Sequence, residues 1–183
     1  MKNMALLRVH SSSICSRHAL IQFKVLHRLH FSKVRLAKIF PTINPICDRC
    51  KQAPASNYHM LWFCPKLARF WDSFFDTISK AYNLGIDSSP TIAVLGIASS
   101  SDGSSPPVHL QRVIAFLSLL ARRAILFKWK DSIPPTSSQC FRDIMLNMKL
   151  EKIRCTLNGS VHKFYKMWDP FIQYVDTLPG LEL

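Results

Sequence analysis

The sequence predicts a mainly α-helical fold built around a small Cys/His-rich loop, with little strand. Two observations lead to this expectation. After residue 64, apolar residues recur at steps of three and four in several segments, which is the period of an amphipathic helix. Between residues 47 and 64, three of the six cysteines and one histidine lie close together. A chain of 183 residues with 48% apolar composition can bury a core around both features.

The Cys/His-rich loop has the spacing Cys47-x2-Cys50-x8-His59-x4-Cys64. Three thiolates and one imidazole form a tetrahedral zinc site, and four protein ligands leave no position for water or substrate. We therefore expect one structural zinc ion at these residues and no chemistry at the metal. Because Pro65 opens a helix directly behind Cys64, the helix dipole should favour the Cys64 thiolate. A disulfide, or buried thiols without a metal, are the alternatives that remain open.

The first 46 residues form a basic arm with eight lysines or arginines, four histidines and no acidic residue. Together with a formal net charge of +13, this one-sided charge favours a polyanionic partner, and we expect RNA or DNA bound mainly through phosphates. A solvated basic face and an organelle presequence are the alternatives. The candidate phosphate-binding residues are Arg17, Lys24, Arg28, Lys33, Arg35 and Lys38.

Two helices are predicted within the arm. Leu20, Phe23 and His30 follow a helical period that predicts a helix over about residues 17–30. Ser32 is placed to cap a second helix that runs through Ile39 and ends before Pro41.

Behind the Cys/His-rich loop, an aromatic stripe predicts a helix over residues 65–84 that stops at Gly85. Met60, Trp62 and Phe63 are expected to pack beneath the loop. Residues 91–97 suggest a short buried segment of undetermined type, and residues 99–107 (SSSDGSSPP) have the composition of a linker.

Three further helical segments are predicted, over residues 108–130, 138–157 and 160–178, the last as two helices that meet at Asp169-Pro170. Arg122 and Arg123 are expected off the apolar stripe of the first segment. Their charges would be costly in lipid, so we predict no membrane span, and no signal peptide is recognised. A nuclear and cytoplasmic location is expected.

Motifs of several enzyme classes are missing from the sequence. Its 11 acidic residues are scattered, whereas polymerases and metal-dependent nucleases cluster carboxylates around divalent cations. Neither a GxxxxGK[ST] phosphate loop nor a GxSxG motif occurs. Cys15 and His18 are interpreted as an incidental pair in the arm, and Cys140 and Cys155 as structural thiols. We therefore expect no catalysis by this chain.

The Cys47-Asp48-Arg49-Cys50 and His59-Met60-x3-Cys64-Pro65 motifs, with the basic segments around them, resemble the C-terminal region of reverse transcriptases from LINE-type (non-LTR) retrotransposons. The resemblance implies zinc ligation by Cys47, Cys50, His59 and Cys64, and a role in holding template RNA or target DNA during target-primed reverse transcription. The polymerase part of the same polyprotein would be a further partner. The resemblance covers residues 10–15, 22–28, 33–39, 47–50, 59–65, 120–123, 128–130, 150–153 and 163–171.

On this reading the chain is a fragment with three regions: a basic arm (1–46), a reverse transcriptase zinc-binding region with its following helix (47–84) and a C-terminal helical region (85–183). Two functions from different classes remain open. One is a nucleic-acid-binding module that derives from a retroelement. The other is a zinc-stapled helical domain that binds proteins and no nucleic acid.

Overall fold

The computed structural model describes residues 13, 15–98 and 106–178. Within them the chain forms six α-helices and, apart from an isolated bridge between Ile46 and Pro54, no strand, which confirms the predicted fold class. The helices are α1 (Ser16–Leu26), α2 (Lys33–Ile39), α3 (Ala68–Tyr82), α4 (Val108–Phe127), α5 (Ser137–Leu157) and α6 (Val161–Asp176). Shorter elements are two π-helical turns, over His59–Phe63 and Thr91–Leu95, and a 3-10 turn over Pro65–Leu67.

Helix α4 lies at the centre of the fold. It contacts α1, α5, α6 and both π-helical turns, and its residues 113–122 are all buried. The prediction that Arg122 lies off the apolar face is wrong, because its side chain is only 1% exposed. The Arg122 guanidinium donates hydrogen bonds to the carbonyl of Ala93 (2.7 Å) and to Oε1 of Gln22. Burial lowers the pKa of Arg122 to about 9, so the group is still charged at neutral pH.

Helix α1 buries a different face from the predicted one. Leu20 and Phe23, which define the apolar period of this segment, are exposed. The buried face carries His18, Gln22 and Val25. Gln22 points inwards because its side chain accepts a hydrogen bond from the buried guanidinium of α4, a requirement that the periodicity of the arm does not reveal.

The end of α1 also differs from the prediction, since the helix stops at Leu26 rather than near residue 30. Arg28 has a φ of 55°, and the amide of Leu29 donates a hydrogen bond to the carbonyl of Lys24 (2.8 Å), which is the pattern of a Schellman cap. Glycine usually holds this left-handed position. Because an arginine holds it here, no sequence signal marks the end of the helix.

Other helix ends follow the sequence more closely. Ser32 caps α2 as predicted, with its Oγ accepting a hydrogen bond from the amide of Arg35 (3.2 Å). Helix α5 ends before Gly159, which has a left-handed φ of 62°, also as predicted. Helix α3 ends at Tyr82 and is capped by Asn83, which has a left-handed φ of 49° and lies two residues before the predicted stop at Gly85. Asparagine tolerates this conformation better than most other residues.

Helix α3 supplies the aromatic part of the core, which confirms the predicted stripe. Phe70, Trp71, Phe74 and Phe75 are all buried. Phe74 stacks on Phe141 of α5 with ring centroids 6.2 Å apart, so the two helices share one aromatic cluster. Helices α3 and α5 also contact α6, and these elements enclose the core together with α4.

The short buried segment after α3 is a π-helical turn that packs against α4. Gly96 ends the turn with a φ of 68°. A Cβ atom at this position would lie 3.0 Å from the Cα of Ala115. Glycine is therefore required here for both the backbone conformation and the close approach to α4.

Helix α6 is continuous, so the prediction of two helices that meet at Asp169-Pro170 is wrong. Pro170 lies inside the helix, where it cannot donate the usual backbone hydrogen bond. The helix continues because its apolar face spans the proline: Phe164 and Trp168 are buried before it, and Phe171 and Val175 after it. Burial of this face outweighs the local preference of proline to begin a helix.

One hydrophobic cluster runs from Val25 in α1 to Val175 in α6 and includes the buried cysteines of the Cys/His-rich loop. The division at residues 46 and 84 remains a prediction. Most of the predicted linker, residues 99–105, lies outside the described residues. None of the helices in the described ranges is both long and apolar enough to span a bilayer.

Candidate metal centre

Cys47 and Cys50 are brought together by a tight turn. The amide of Lys51 donates to the carbonyl of Cys47 (2.9 Å), and Lys51 has a left-handed φ of 59°. The amide of Cys47 donates in turn to the carbonyl of Ala53 (2.9 Å), which folds the chain back on itself. Residues 45–67, from this turn through the first π-helical turn to the 3-10 turn, are called the metal loop below.

The other two candidate ligands flank the first π-helical turn. His59 begins it, with its amide donating to Oγ of Ser56 (3.2 Å), and Cys64 follows it. The amide of Cys64 donates to the carbonyl of His59 (3.0 Å), so the wide π-helical turn returns Cys64 to the side of His59. Met60, in the same turn, is buried as predicted, whereas Phe63 is 63% exposed and does not pack beneath the loop.

The four predicted ligands converge on one point. Their ligand atoms, three Sγ atoms and one imidazole nitrogen, all lie within 4.8 Å of one another, and all four residues are buried. Cys50 Sγ lies 3.4 Å from Nε2 of His59, and Cys47 Sγ lies 4.0 Å from Cys64 Sγ. A tetrahedral zinc ion requires about 3.8 Å between two sulfur ligands and about 3.5 Å between sulfur and nitrogen. The group could therefore hold one metal ion, and its donor set is one that zinc prefers.

The disulfide alternative is not realised, because all six cysteines are free thiols. The thiols of the cluster lie in different electrostatic surroundings. Burial opposes ionisation of Cys50, but hydrogen bonds from the backbone amides of Gln52 and Ala53 hold its pKa below the usual value. Burial raises the pKa of Cys64 to about 11. The expected stabilisation of the Cys64 thiolate by a helix dipole is thus outweighed by burial, and a metal cation would have to displace this proton.

His59 is suited to act as a neutral ligand. Burial lowers the pKa of His59 below its ordinary value, and the nearby positive charge of Arg49 lowers it further. A neutral imidazole is the form that binds a metal.

Arg49, between the first two cysteines, has a role that sequence reasoning missed. It is 5% exposed and donates hydrogen bonds to the carbonyls of Met60 (2.9 Å), Ile125 (3.0 Å) and Lys128 (3.1 Å). Burial lowers the pKa of Arg49, and the thiols of Cys64 and Cys47 oppose that shift. Since unpaired carbonyls at a helix C-terminus attract cations, Arg49 joins the metal loop to the end of α4. The only sequence signal is a cation between two ligand cysteines.

The basic arm lies against the metal loop. Lys33 Nζ donates to Oδ1 of Asp48 (2.8 Å), inside the Cys-x2-Cys turn, and this contact lowers the pKa of Asp48. Arg28 donates to the hydroxyl of Tyr58 (3.0 Å). The backbone adds a hydrogen bond from the amide of Val34 to the carbonyl of Ala55 (3.4 Å).

The six candidate phosphate-binding residues differ in availability. Arg17, Arg28, Arg35 and Lys38 are exposed, whereas Lys24 and Lys33 are half-buried. Lys33 is engaged by Asp48. Arg17, Lys24 and Lys38 have no side-chain partner among the described residues, so they are the freest cations of the predicted set.

No protein-family model matches the chain, and the comparison with curated proteins found no match either. The resemblance to a retrotransposon reverse transcriptase therefore remains a prediction. The residues themselves establish a helical protein with a buried Cys3His group that could hold one metal ion.

Proposed function

We propose that this chain is a non-catalytic, zinc-stapled module that binds RNA or DNA, and that it corresponds to the C-terminal zinc-binding region of a non-LTR retrotransposon reverse transcriptase. The supporting observation is the docking of an acid-free basic arm on the metal loop through the Lys33–Asp48 ion pair. Zinc would be structural, held by Cys47, Cys50, His59 and Cys64.

Zinc would act here through folding rather than through chemistry. The metal loop has one isolated bridge, the tight turn at Cys47 and Cys50 and two short helical turns, so four ligand bonds would be its main restraint. A restrained loop holds Asp48 and Tyr58 in place, and these residues contact Lys33 and Arg28 of the arm. The metal loop thereby holds the exposed lysines and arginines of the arm on one surface. This arrangement is required if they are to contact successive phosphates of a nucleic acid.

The proposal is tested by the salt dependence of RNA binding. The structure sharpens the choice of variant: Lys33 is unsuitable because its reversal would break the ion pair with Asp48. Arg17→Glu with Lys38→Glu reverses two exposed charges that have no partner among the described residues. Each lost phosphate contact should reduce the slope of log K against log salt by about one. Fluorescence anisotropy with single-stranded RNA and with duplex DNA measures that slope and compares the two nucleic acids.

The matched control is Lys149→Glu with Lys166→Glu. These residues are exposed on α5 and α6, and the double substitution changes the net charge by the same amount. A local phosphate-binding surface predicts that only the arm variant loses affinity. Equal losses in both variants would indicate a general effect of net charge, and a wild-type affinity independent of salt would overturn the proposal.

A second candidate function, protein binding, is favoured by an apolar stripe on α5. Helix α5 buries one face against the core, yet a second face exposes apolar side chains at steps of four, three and four. This spacing is that of a coiled-coil seam. The stripe consists of Leu146, Leu150, Ile153 and Leu157.

The positive charges beside this stripe favour an acidic amphipathic helix as its partner. Lys149 and Arg154 flank it, and Arg154 also pairs with Glu151 of its own helix. A second copy of the chain would bring the two cations close to like charges, whereas an acidic helix would pair with them. Leu150→Lys should abolish capture of the polymerase part of the parent polyprotein and leave RNA binding unchanged. Unchanged capture by this variant would remove the stripe from consideration.

A further inference from the structure

A groove of about 330 Å³ opens between the α1–α2 connection, the metal loop and the C-terminal end of α4. Aromatic and apolar side chains form most of its lining. Among them are Ile21, His30, Phe31, Met60, Phe127 and Trp129.

Two of the lining rings are unusually exposed for apolar side chains. Phe127 is 70% exposed and Phe31 is 56% exposed, although neither is needed for the core. Trp129 is half-buried and packs with one part against the core. Exposed aromatic rings gathered at one concave place are typical of a binding surface rather than of a solvated loop.

Each of these three rings is accompanied by a cation. Arg35 lies over Phe31 at 5.2 Å from the ring centroid, measured from the guanidinium carbon. Arg123 lies over Phe127 at 4.7 Å, and Nζ of Lys130 lies 5.1 Å from the centroid of Trp129. Asp143 also forms an ion pair with Arg123. Arg35 and Lys130 have no acidic partner among the described residues, so the groove carries net positive charge.

We propose that this groove binds unpaired bases of a single-stranded nucleic acid, with the rings of Phe31, Phe127 and Trp129 stacking on bases and Arg35 and Lys130 contacting the flanking phosphates. Successive aromatic platforms along a cationic groove are how proteins hold single strands without reading sequence. A duplex keeps its bases stacked inside and could engage only the cations. The inference rests on the proposed function and specifies which form of nucleic acid the site takes.

The metal centre supports the floor of this groove. Met60 lines the groove, directly follows the candidate ligand His59 and is 3% exposed. Its carbonyl accepts a hydrogen bond from Arg49, which also holds the end of α4. Arg49 therefore connects Met60, on the metal-loop side of the groove, to the end of α4 that carries Phe127.

Base stacking can be separated from phosphate binding with two oligonucleotides. One is a fluorescent single-stranded oligodeoxyadenylate of about a dozen nucleotides, within the site sizes of single-strand-binding proteins. The other is an abasic strand with the same number of phosphates. The wild-type protein should bind the first more tightly than the second. Phe31→Ala with Phe127→Ala should weaken binding to the oligodeoxyadenylate by about fivefold to a hundredfold per ring and leave the abasic strand unaffected.

The control variant is Val108→Ala, which truncates a comparably exposed apolar side chain at the N-terminal end of α4, away from the groove. It should bind both strands like the wild-type protein. Zinc content and thermal midpoint are measured for every variant. As a second readout, the oligodeoxyadenylate should quench the fluorescence of Trp129, and Trp129→Phe should remove that part of the quenching.

Each negative result has a separate meaning. Equal wild-type affinity for the two strands, with no effect of the phenylalanine substitutions, would overturn the stacking groove and leave phosphate binding by the arm intact. An equal loss of affinity for both strands in the double variant would also overturn it, since stacking cannot act on an abasic strand. Failure of the wild-type protein to bind either strand, together with failure to bind single-stranded RNA and duplex DNA, would overturn the proposed function itself.

Discussion

The metal loop and the helices α3 to α6 differ in what holds their backbone in place. In the helices, backbone hydrogen bonds are made within each element, and buried rings such as Phe74 and Phe171 join the elements. In the metal loop, the backbone makes turns and a single bridge, and its buried side chains include the four candidate metal ligands. The first region is stabilised by apolar burial, whereas the second buries fewer apolar side chains and, under the proposed function, would gain its main restraint from metal ligation.

Two buried arginines connect helix α4 to its surroundings, and one of them, Arg49, links it to the metal loop. Arg49 joins the metal loop to the end of α4, and Arg122 joins α4 to α1 and the second π-helical turn. Both side chains satisfy carbonyl or amide oxygens that would otherwise be buried without a partner. We therefore expect substitutions in the metal loop to have large but local effects, and substitutions in the aromatic core to destabilise the whole fold. Substitution of a buried arginine should have an intermediate effect on stability.

The largest effect is expected from Cys64→Ser, which removes one of the four proposed zinc ligands. Because binding of a structural metal is coupled to folding, the amides of the metal loop should lose most of their protection from hydrogen exchange, while residues 113–121 of α4 remain protected. Native mass spectrometry should show the loss of one zinc ion per chain. Cys140→Ser is the control, since Cys140 is buried outside the cluster. Equal loss of protection in both regions would contradict the division between them.

Next in size is Phe74→Ala in the aromatic core. Phe74 is fully buried and contacts the rings of Phe70, Trp71, Phe75 and Phe141. Truncation of a buried phenylalanine costs about 3–5 kcal/mol because it leaves a cavity. Urea unfolding of the zinc-loaded protein should show that loss, with one zinc ion still bound to the folded variant. Loss of zinc at neutral pH without denaturant would show that the two regions are not separable.

The sequence was sufficient for features that depend on local spacing. The order and spacing of the candidate ligands from Cys47 to Cys64 predict that they converge. A Cys-x2-Cys turn can place two thiols side by side independently of the rest of the fold. The cap at Ser32 and the aromatic stripe of α3 are equally local. These predictions agree with the structure because few long-range contacts are needed to satisfy them.

Three of the failures share one physical cause, which is tertiary burial. The helical period of the sequence predicts that Arg122 lies on the surface. In the structure it is buried, because the oxygens of Ala93 and Gln22 give it hydrogen-bond partners in the interior. Pro170 appears as a helix start, yet the apolar face around it keeps α6 continuous. Gln22 faces inwards for the same reason as Arg122. In each case the deciding partner is distant in the sequence, so no local pattern could reveal it.

A smaller effect is expected from Arg122→Met, where α4 contacts α1 and the second π-helical turn. Methionine fills similar space but leaves the carbonyl of Ala93 and the side chain of Gln22 without a donor, which should cost about 1–3 kcal/mol. Urea unfolding measures the loss. Arg123→Met is the matched control, because its ion pair with Asp143 is partly exposed and should contribute about 1 kcal/mol or less. A larger loss in the control would contradict the stabilising role assigned to the buried hydrogen bonds of Arg122.

The smallest effect on stability is expected from Lys33→Ala, yet it tests the link between the arm and the metal loop most directly. The Lys33–Asp48 pair is partly exposed, with side-chain exposures of 18% and 27%, so its loss should cost about 0.2–1 kcal/mol. The amide of Val34, which donates to the carbonyl of Ala55, should nevertheless exchange faster, because the arm loses its ionic attachment. Lys38→Ala removes an equal charge from α2 without breaking an ion pair, and it should leave that amide protected. If both variants exchange alike at Val34, the arm is held by its backbone and apolar contacts, and the ion pair is incidental.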